Sequence, residues 1–81
     1  MPLKYVIIKV SGYELPIWFP DALVHRDMID PKKCAVVAAG FCALSVENGK
    51  AAFRAWGKSR ALGQESRPQD AALLTEVLHE H

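Results

Sequence analysis

Four groups of residues in this chain place chemically active side chains close together. His25-Arg26-Asp27 has the residue order of the protein-kinase catalytic loop, in which the aspartate accepts the proton of an attacking hydroxyl. Gly57-Lys58-Ser59 has the ending of a phosphate-binding loop, in which a lysine and a hydroxyl face phosphate and magnesium. His25, Cys34, Cys42, His79 and His81 carry the nitrogen and sulfur atoms that zinc prefers. His25 beside either cysteine would make a nucleophile with its base.

Each of these chemistries needs surroundings that the sequence does not supply. A kinase needs a glycine-rich loop and metal-holding carboxylates, and 81 residues are far too few for it. A phosphate-binding loop needs a further glycine five residues ahead of Gly57, where Ala52 stands in a strand-like segment. The five histidines and cysteines lack the usual ligand spacing, and His79 and His81, two apart on a helix, do not share a face. Cys34 and Cys42 fall in one apolar run, whose surroundings raise a thiol's pKa. Extended, that run separates them by ~26 Å at ~3.3 Å per residue, beyond disulfide reach. Both are read as reduced, buried and structural, with His25 on the surface. The expectation is a protein that binds and does not catalyse, without metal or cofactor.

What remains is chemistry of contact. Tyr5 with Trp18 and Phe41 with Trp56 are expected as cross-strand aromatic pairs, either covered by a helix as core or exposed to a partner. Lys50, Arg54, Lys58 and Arg60 alternate on the parity of Trp56, a basic stripe that suits nucleic acid or an acidic protein, or a solvated face interrupted by Gly57. Amides at a helix start near Ser66 and Arg67 offer a weaker anion site.

The elements that position these residues follow from pattern and turn signals. Lys4–Val10 and Tyr13–Phe19 read as a hairpin across Ser11-Gly12, with Pro16 confining the second strand to a sheet edge. The two-residue turn sets Val10 opposite Tyr13, Ile8 opposite Leu15, and Lys9 opposite Glu14 as an ion pair. Val6, Ile8, Val10, Tyr13, Leu15 and Ile17 then form the core face. Asp21 caps a short helix from Ala22 to Ile29. Lys33–Val46, with a bend or bulge at Gly40, pairs with Lys50–Trp56 across Asn48-Gly49. Here the core face is Cys42, Leu44, Val46, Ala51, Phe53 and Ala55. Ser59–Leu62 reads as a fifth strand. Ser66-Arg67-Pro68-Gln69 reads as a capping box for a last helix ending near His79, with Ala71, Leu74, Val77 and Leu78 as its apolar stripe. The fold class is α+β in the order ββαβββα, a four- or five-stranded, mainly antiparallel sheet with the C-terminal helix on one face, in a single domain over residues 1–81.

Composition agrees. Hydrophobic residues at 51% and charged residues at 23% fit a folded domain and exclude disorder. A net charge of +1 gives no global pull toward nucleic acid. Met1–Val6 does not read as a signal peptide, and the run Cys34–Val46 is shorter than the ~20 residues of a membrane helix. A cytoplasmic protein without membrane contact is expected.

Three segments taken together resemble a known group. They are Leu15-Pro16-Ile17-Trp18-Phe19-Pro20 with His25, Val36-Val37-Ala38-Ala39-Gly40-Phe41, and Gly57-Lys58-Ser59-Arg60-Ala61-Leu62-Gly63 running through Ser66-Arg67-Pro68-Gln69 to Leu74. The set, spanning most of the chain, resembles small proteins of unassigned activity encoded by tailed bacteriophages and prophages. The resemblance implies a viral protein made in the bacterial cytoplasm, where many such factors bind a host protein or nucleoprotein complex and inhibit it, anti-CRISPR proteins among them. On this reading Tyr5, Trp18, Phe41 and Trp56 anchor the partner, and Arg54, Lys58 and Arg60 form a charged rim. The alternatives are a small nucleic-acid or nucleotide binder using the basic stripe and the last helix's start, and a self-associating virion or assembly component, dimeric through its aromatic face.

Overall fold

A computed structural model describes residues 2–80, the side chain of Asp27 excepted. Strands β1 (Leu3–Val10) and β2 (Tyr13–Pro20) form the first hairpin. Ser11 and Gly12 take φ of 49° and 83°, the left-handed pair that a two-residue turn requires to match the strands' twist. The register is the expected one, from Val10 opposite Tyr13 to Tyr5 opposite Trp18. Strands β3 (Ala35–Glu47) and β4 (Lys50–Trp56) form the second hairpin in the same way, with Asn48 and Gly49 at 52° and 78°. Phe41 faces Trp56, Cys42 faces Ala55 and Leu44 faces Phe53, again as the turn dictates.

β1 also pairs antiparallel with β3, so the main sheet runs β2-β1-β3-β4. Pro16 lies on β2, the edge strand, where its missing N–H interrupts nothing. Two further strands, β5 (Lys58–Ser59) and β6 (Gln64–Glu65), make a separate two-stranded sheet. This replaces the single strand expected at Ser59–Leu62: Gly63, at φ 65°, donates to the carbonyl of Arg60 and reverses the chain there.

Helix α1 is only His25–Met28, shorter than expected, and Asp21 does not cap it. The amide of Leu23 bonds the carbonyl of Pro20, so Asp21 and Ala22 belong to a turn. Asp30 organises the next turn by accepting from the amide of Lys32 at 2.9 Å, which delays β3 to Ala35. Helix α2 (Asp70–His79) starts later than a cap at Ser66 would set it, and Ser66 makes no capping bond. Asp70 reaches back instead to the amide of Arg67 at 2.9 Å.

The sheet is buried on both sides. Under α2 lie Tyr5, Ile7, Ala38, Cys42 and Phe53, flanked by Leu3 and Trp18, and α2 sets Leu74 on them with Leu73 and Leu78 beside it. On the other side lie Val6, Ile8, Phe19 and Ala39, covered by Ile29, Cys34 and Leu62 from the connections. A single core face on the first hairpin is therefore incorrect. β1 is a central strand with both parities buried, whereas Val10, Tyr13 and Leu15 at its turn are 48%, 78% and 48% exposed. The irregularity in β3 lies opposite Ile7/Ile8, where Val37 is the extra residue, and not at Gly40. Gly40 is required for a different reason: a Cβ there would stand 2.5 Å from the carbonyl oxygen of Trp56.

Candidate functional site

The structure divides the four aromatic residues between the two sides of the sheet. Tyr5 and Trp18 point to the α2 side. Tyr5 is fully buried and donates its hydroxyl to Asp70 Oδ2 at 2.6 Å, so its expected role as a contact anchor is corrected to one in the core. Trp18 is half-buried against Phe53, with ring centres 4.9 Å apart. Phe41 and Trp56 point to the opposite side and stack with centres 6.4 Å apart and planes 23° apart. Trp56 remains 44% exposed.

Phe41 is held from several directions. His25 meets its ring edge-on at 6.0 Å, and the ammonium of Lys4 lies 6.0 Å from its centre. Gly57, at φ 80°, leaves room for it; a Cβ there would come within 2.9 Å of the Phe41 ring. His25 is buried, not on the surface as expected. A carbonyl can only accept, so Nε2 of His25 carries the proton it donates to Gly40 at 2.8 Å. Phe19 packs against the same ring at 5.5 Å. His25 is thus a post that joins α1 to β3 and props Phe41. Its role and that of Lys4 escape the sequence, because both depend on the long-range pairing of β1 with β3.

Arg54, Lys58 and Arg60 are close to Trp56 along the chain, while Lys50 lies at the far, turn end of β4. Lys50 and Arg54 are exposed on β4 with the parity of Trp56, and Lys58 and Arg60 follow the kink at Gly57. Among the described residues both ion pairs belong to Arg67, and these four cations make none. Three of the four have acidic neighbours without a direct ion pair: Glu47 faces Lys50 across the second turn, Glu65 faces Lys58 across β5 and β6, and Arg54 shares the cleft between β4 and α2 with Glu47, Glu76 and Glu80.

The helix start is not an anion site. The guanidinium of Arg67 bonds Asp70 Oδ1 at 2.8 Å and both carboxylate oxygens of Glu14 at 2.7 and 3.2 Å. The Glu14 bond raises the pKa of Arg67 and lowers that of Glu14 below the usual carboxylate range. The amide of Ser66 is taken by the carbonyl of Gly57 at 2.9 Å. The expected pair Lys9–Glu14 gives way to Arg67, which offers two donors to Glu14 where Lys9 remains exposed.

Comparison with protein-family models, curated proteins and solved structures gives no match.

The remaining motif residues do not assemble. Cys34 and Cys42 are both free and belong to opposite sides of the sheet. Burial pushes the Cys42 thiol up to about 12, away from nucleophilic use at neutral pH. His79 donates Nε2–H to the carbonyl of Ala51 at 2.7 Å. His81 and the side chain of Asp27 lie outside the described residues. No described helix is long and apolar enough to cross a membrane.

Proposed function

We propose that this chain is a non-catalytic binding protein whose Phe41–Trp56 face, rimmed by Arg54, Lys58 and Arg60, docks on an acidic surface of a partner protein. The observation that carries this reading is Trp56, a large aromatic ring left 44% exposed yet stacked in place on Phe41. A pre-positioned aromatic loses little side-chain freedom on binding, and tryptophan and arginine dominate interface hot spots. In the setting that the phage resemblance supplies, the partner is a bacterial protein or nucleoprotein complex in the cytoplasm, and docking inhibits it in the manner of an anti-defence factor.

Trp56→Ala is expected to weaken binding to an isolated partner by at least ~2 kcal/mol, about thirtyfold. Trp18→Ala, on the α2 side, is expected to lower stability and leave affinity unchanged. Calorimetric titration of both variants, with circular dichroism as a folding check, decides the matter. A correctly folded Trp56→Ala protein that binds as the parent does removes this face from the interaction.

A second reading uses the same surface for nucleic acid, favoured by the unpaired cations interleaved with Trp56. It predicts tight binding to single strands whose log affinity falls linearly and steeply with log salt. The protein-docking reading predicts no appreciable binding to single strands and a milder salt dependence toward its partner, set by the Arg54, Lys58 and Arg60 rim alone.

A further inference from the structure

Where Gly57 turns the chain out of β4, the surface beside the aromatic stack folds into a cleft of about 440 Å³. Lys4, His25, Phe41, Lys58, Ser59 and Arg60 define its chemistry. The volume falls within the ~300–1,000 Å³ typical of small-ligand sites. We propose that this cleft binds a phosphate monoester of mononucleotide size. The cleft shares Phe41, Lys58 and Arg60 with the docking face proposed above, so a bound phosphate and a protein partner would compete for them, but the cleft's binding does not require that the face docks a protein.

The lining carries three permanent cations and no carboxylate. Lys4 donates to the carbonyl of Leu23 at 2.8 Å, which fixes its ammonium and leaves two N–H groups for a ligand. Lys58 and Arg60 make no ion pair among the described residues. Ser59 is buried, and its Oγ accepts from the amide of Leu62 at 3.3 Å, which ties the floor of the cleft to the turn that follows it. Phe41 supplies an apolar wall suited to a flat ring. His25 has its Nε2 proton committed to Gly40, which fixes the ring beside Phe41 as a second wall.

The other clefts fit an anion less well. The neighbouring one shares Lys58, Ser59 and Arg60 but adds Glu65. A larger one, about 1020 Å³ between β4 and α2, sets Glu47, Glu76 and Glu80 against Arg54 and His79. A phosphate oxygen accepts charge-assisted bonds from lysine and arginine donors, and of these three clefts the first offers such donors with no carboxylate in its lining, Glu65 facing Lys58 from the neighbouring one.

The test is amide chemical-shift mapping with AMP, ribose 5-phosphate and adenosine as probes. AMP and ribose 5-phosphate are expected to move the amides of Gly57, Lys58, Ser59 and Arg60 saturably at millimolar concentration, and adenosine is not. Tighter binding of AMP than of ribose 5-phosphate places the base on Phe41; equal binding places the phosphate alone in the cleft. Lys58→Ala with Arg60→Ala should weaken AMP at least about tenfold, the worth of one charge-assisted bond, while Lys32→Ala with Lys33→Ala should not. Adenosine binding as well as AMP, no saturable shift with AMP, or an unchanged affinity in the Lys58/Arg60 variant would each overturn the proposal.

Discussion

Asp70 is a fully buried carboxylate, and its surroundings explain why it is tolerated. It accepts from the Tyr5 hydroxyl at 2.6 Å, the Arg67 amide at 2.9 Å and Arg67 Nε at 2.8 Å. Through it the start of α2 is tied to β1, and through Arg67 and Glu14 to β2. Asp70→Ala would strand three donors, and breaking a buried pair costs ~3–5 kcal/mol. Because Arg67 keeps some contact with water, the expected loss is near the lower figure. Tyr5→Phe removes one donor and should cost ~1.5–3 kcal/mol, the range for a bond to a charged group. Urea denaturation of the two variants tests this, and an Asp70→Ala loss below that of Tyr5→Phe would show that the clasp is not what seats α2. The same region sets a pH dependence. Burial, and after it the bond to Asp70 and its charge, raise the Tyr5 phenol above its ordinary value of 10.0. Burial raises Cys42 from 9.0 to about 12. Raised folded values mean a contribution that is whole below the unfolded values and lost as pH rises through the folded ones. Stability should therefore begin to fall near pH 9, and Cys42→Ala should flatten the part between pH 9 and about 12. Glu14 acts in the opposite direction: its lowered value adds stability above the ordinary carboxylate range, which disappears as acid protonates it. Denaturation midpoints measured from acid to alkaline pH check both signs, with Cys42→Ala testing the alkaline limb and Glu14→Gln the acid one.

At the scale of elements, the hairpins were legible because each turn fixes its own register. Ser11-Gly12 and Asn48-Gly49 need left-handed angles at both turn positions, and once the turns are placed every cross-strand pair follows by counting. The Lys58–Glu65 segment and the pairing of β1 with β3 were not legible, since no local signal says which face of one hairpin meets which face of the other. That is why Tyr5 and Trp56 looked equivalent in sequence and lie on opposite sides of the sheet. The same lack hid the treatment of the sheet edges. In a two-residue hairpin alternate residues turn their backbone groups away from the partner strand, so the outer edge of β2 presents Glu14, Pro16, Trp18 and Pro20, two of which have no N–H. On β4 the outward amide of Phe53 donates to Thr75 Oγ1 at 2.8 Å, and the outward carbonyl of Ala51 accepts from His79. Thr75 in turn donates to the carbonyl of Ala71 at 2.8 Å, so one hydroxyl closes both the strand edge and its own helix. Thr75→Val keeps the shape and removes the acceptor. It should cost ~1–3 kcal/mol and speed exchange of the Phe53 amide, whereas Thr75→Ser should retain most of both. Equal behaviour of the two variants would mean that packing, not the hydroxyl, holds β4 to α2.

For the whole molecule, the deciding feature is unequal cover. One side of the sheet carries α2; the other is covered over β1, β2 and the first half of β3 by the connections and the small β5–β6 sheet, while β4 and the end of β3 lie partly open. β1 begins at Leu3 opposite Cys42, so the second hairpin beyond that point runs on without β1 beside it. Leu44 and Val46 are accordingly 53% and 76% exposed, on the side away from Trp56. β1, in contrast, has Tyr5, Val6 and Ile7 fully buried between two strands and two layers. Local opening follows such differences in burial. The amides of Val6 and Ile7 are expected to exchange only through global unfolding, with a denaturant dependence equal to that of the whole protein. Those flanking the Asn48-Gly49 turn are expected to exchange through local fraying with little dependence. The comparison also bears on function, because an exposed Phe41–Trp56 face requires that nothing else cover this hairpin. If the turn amides prove as protected as Val6, and lose that protection on dilution, the open end of this hairpin is buried between copies of the chain; a shift of the Trp56 indole N–H on the same dilution would place the Phe41–Trp56 face in that contact, and self-association rather than a foreign partner would then account for Trp56.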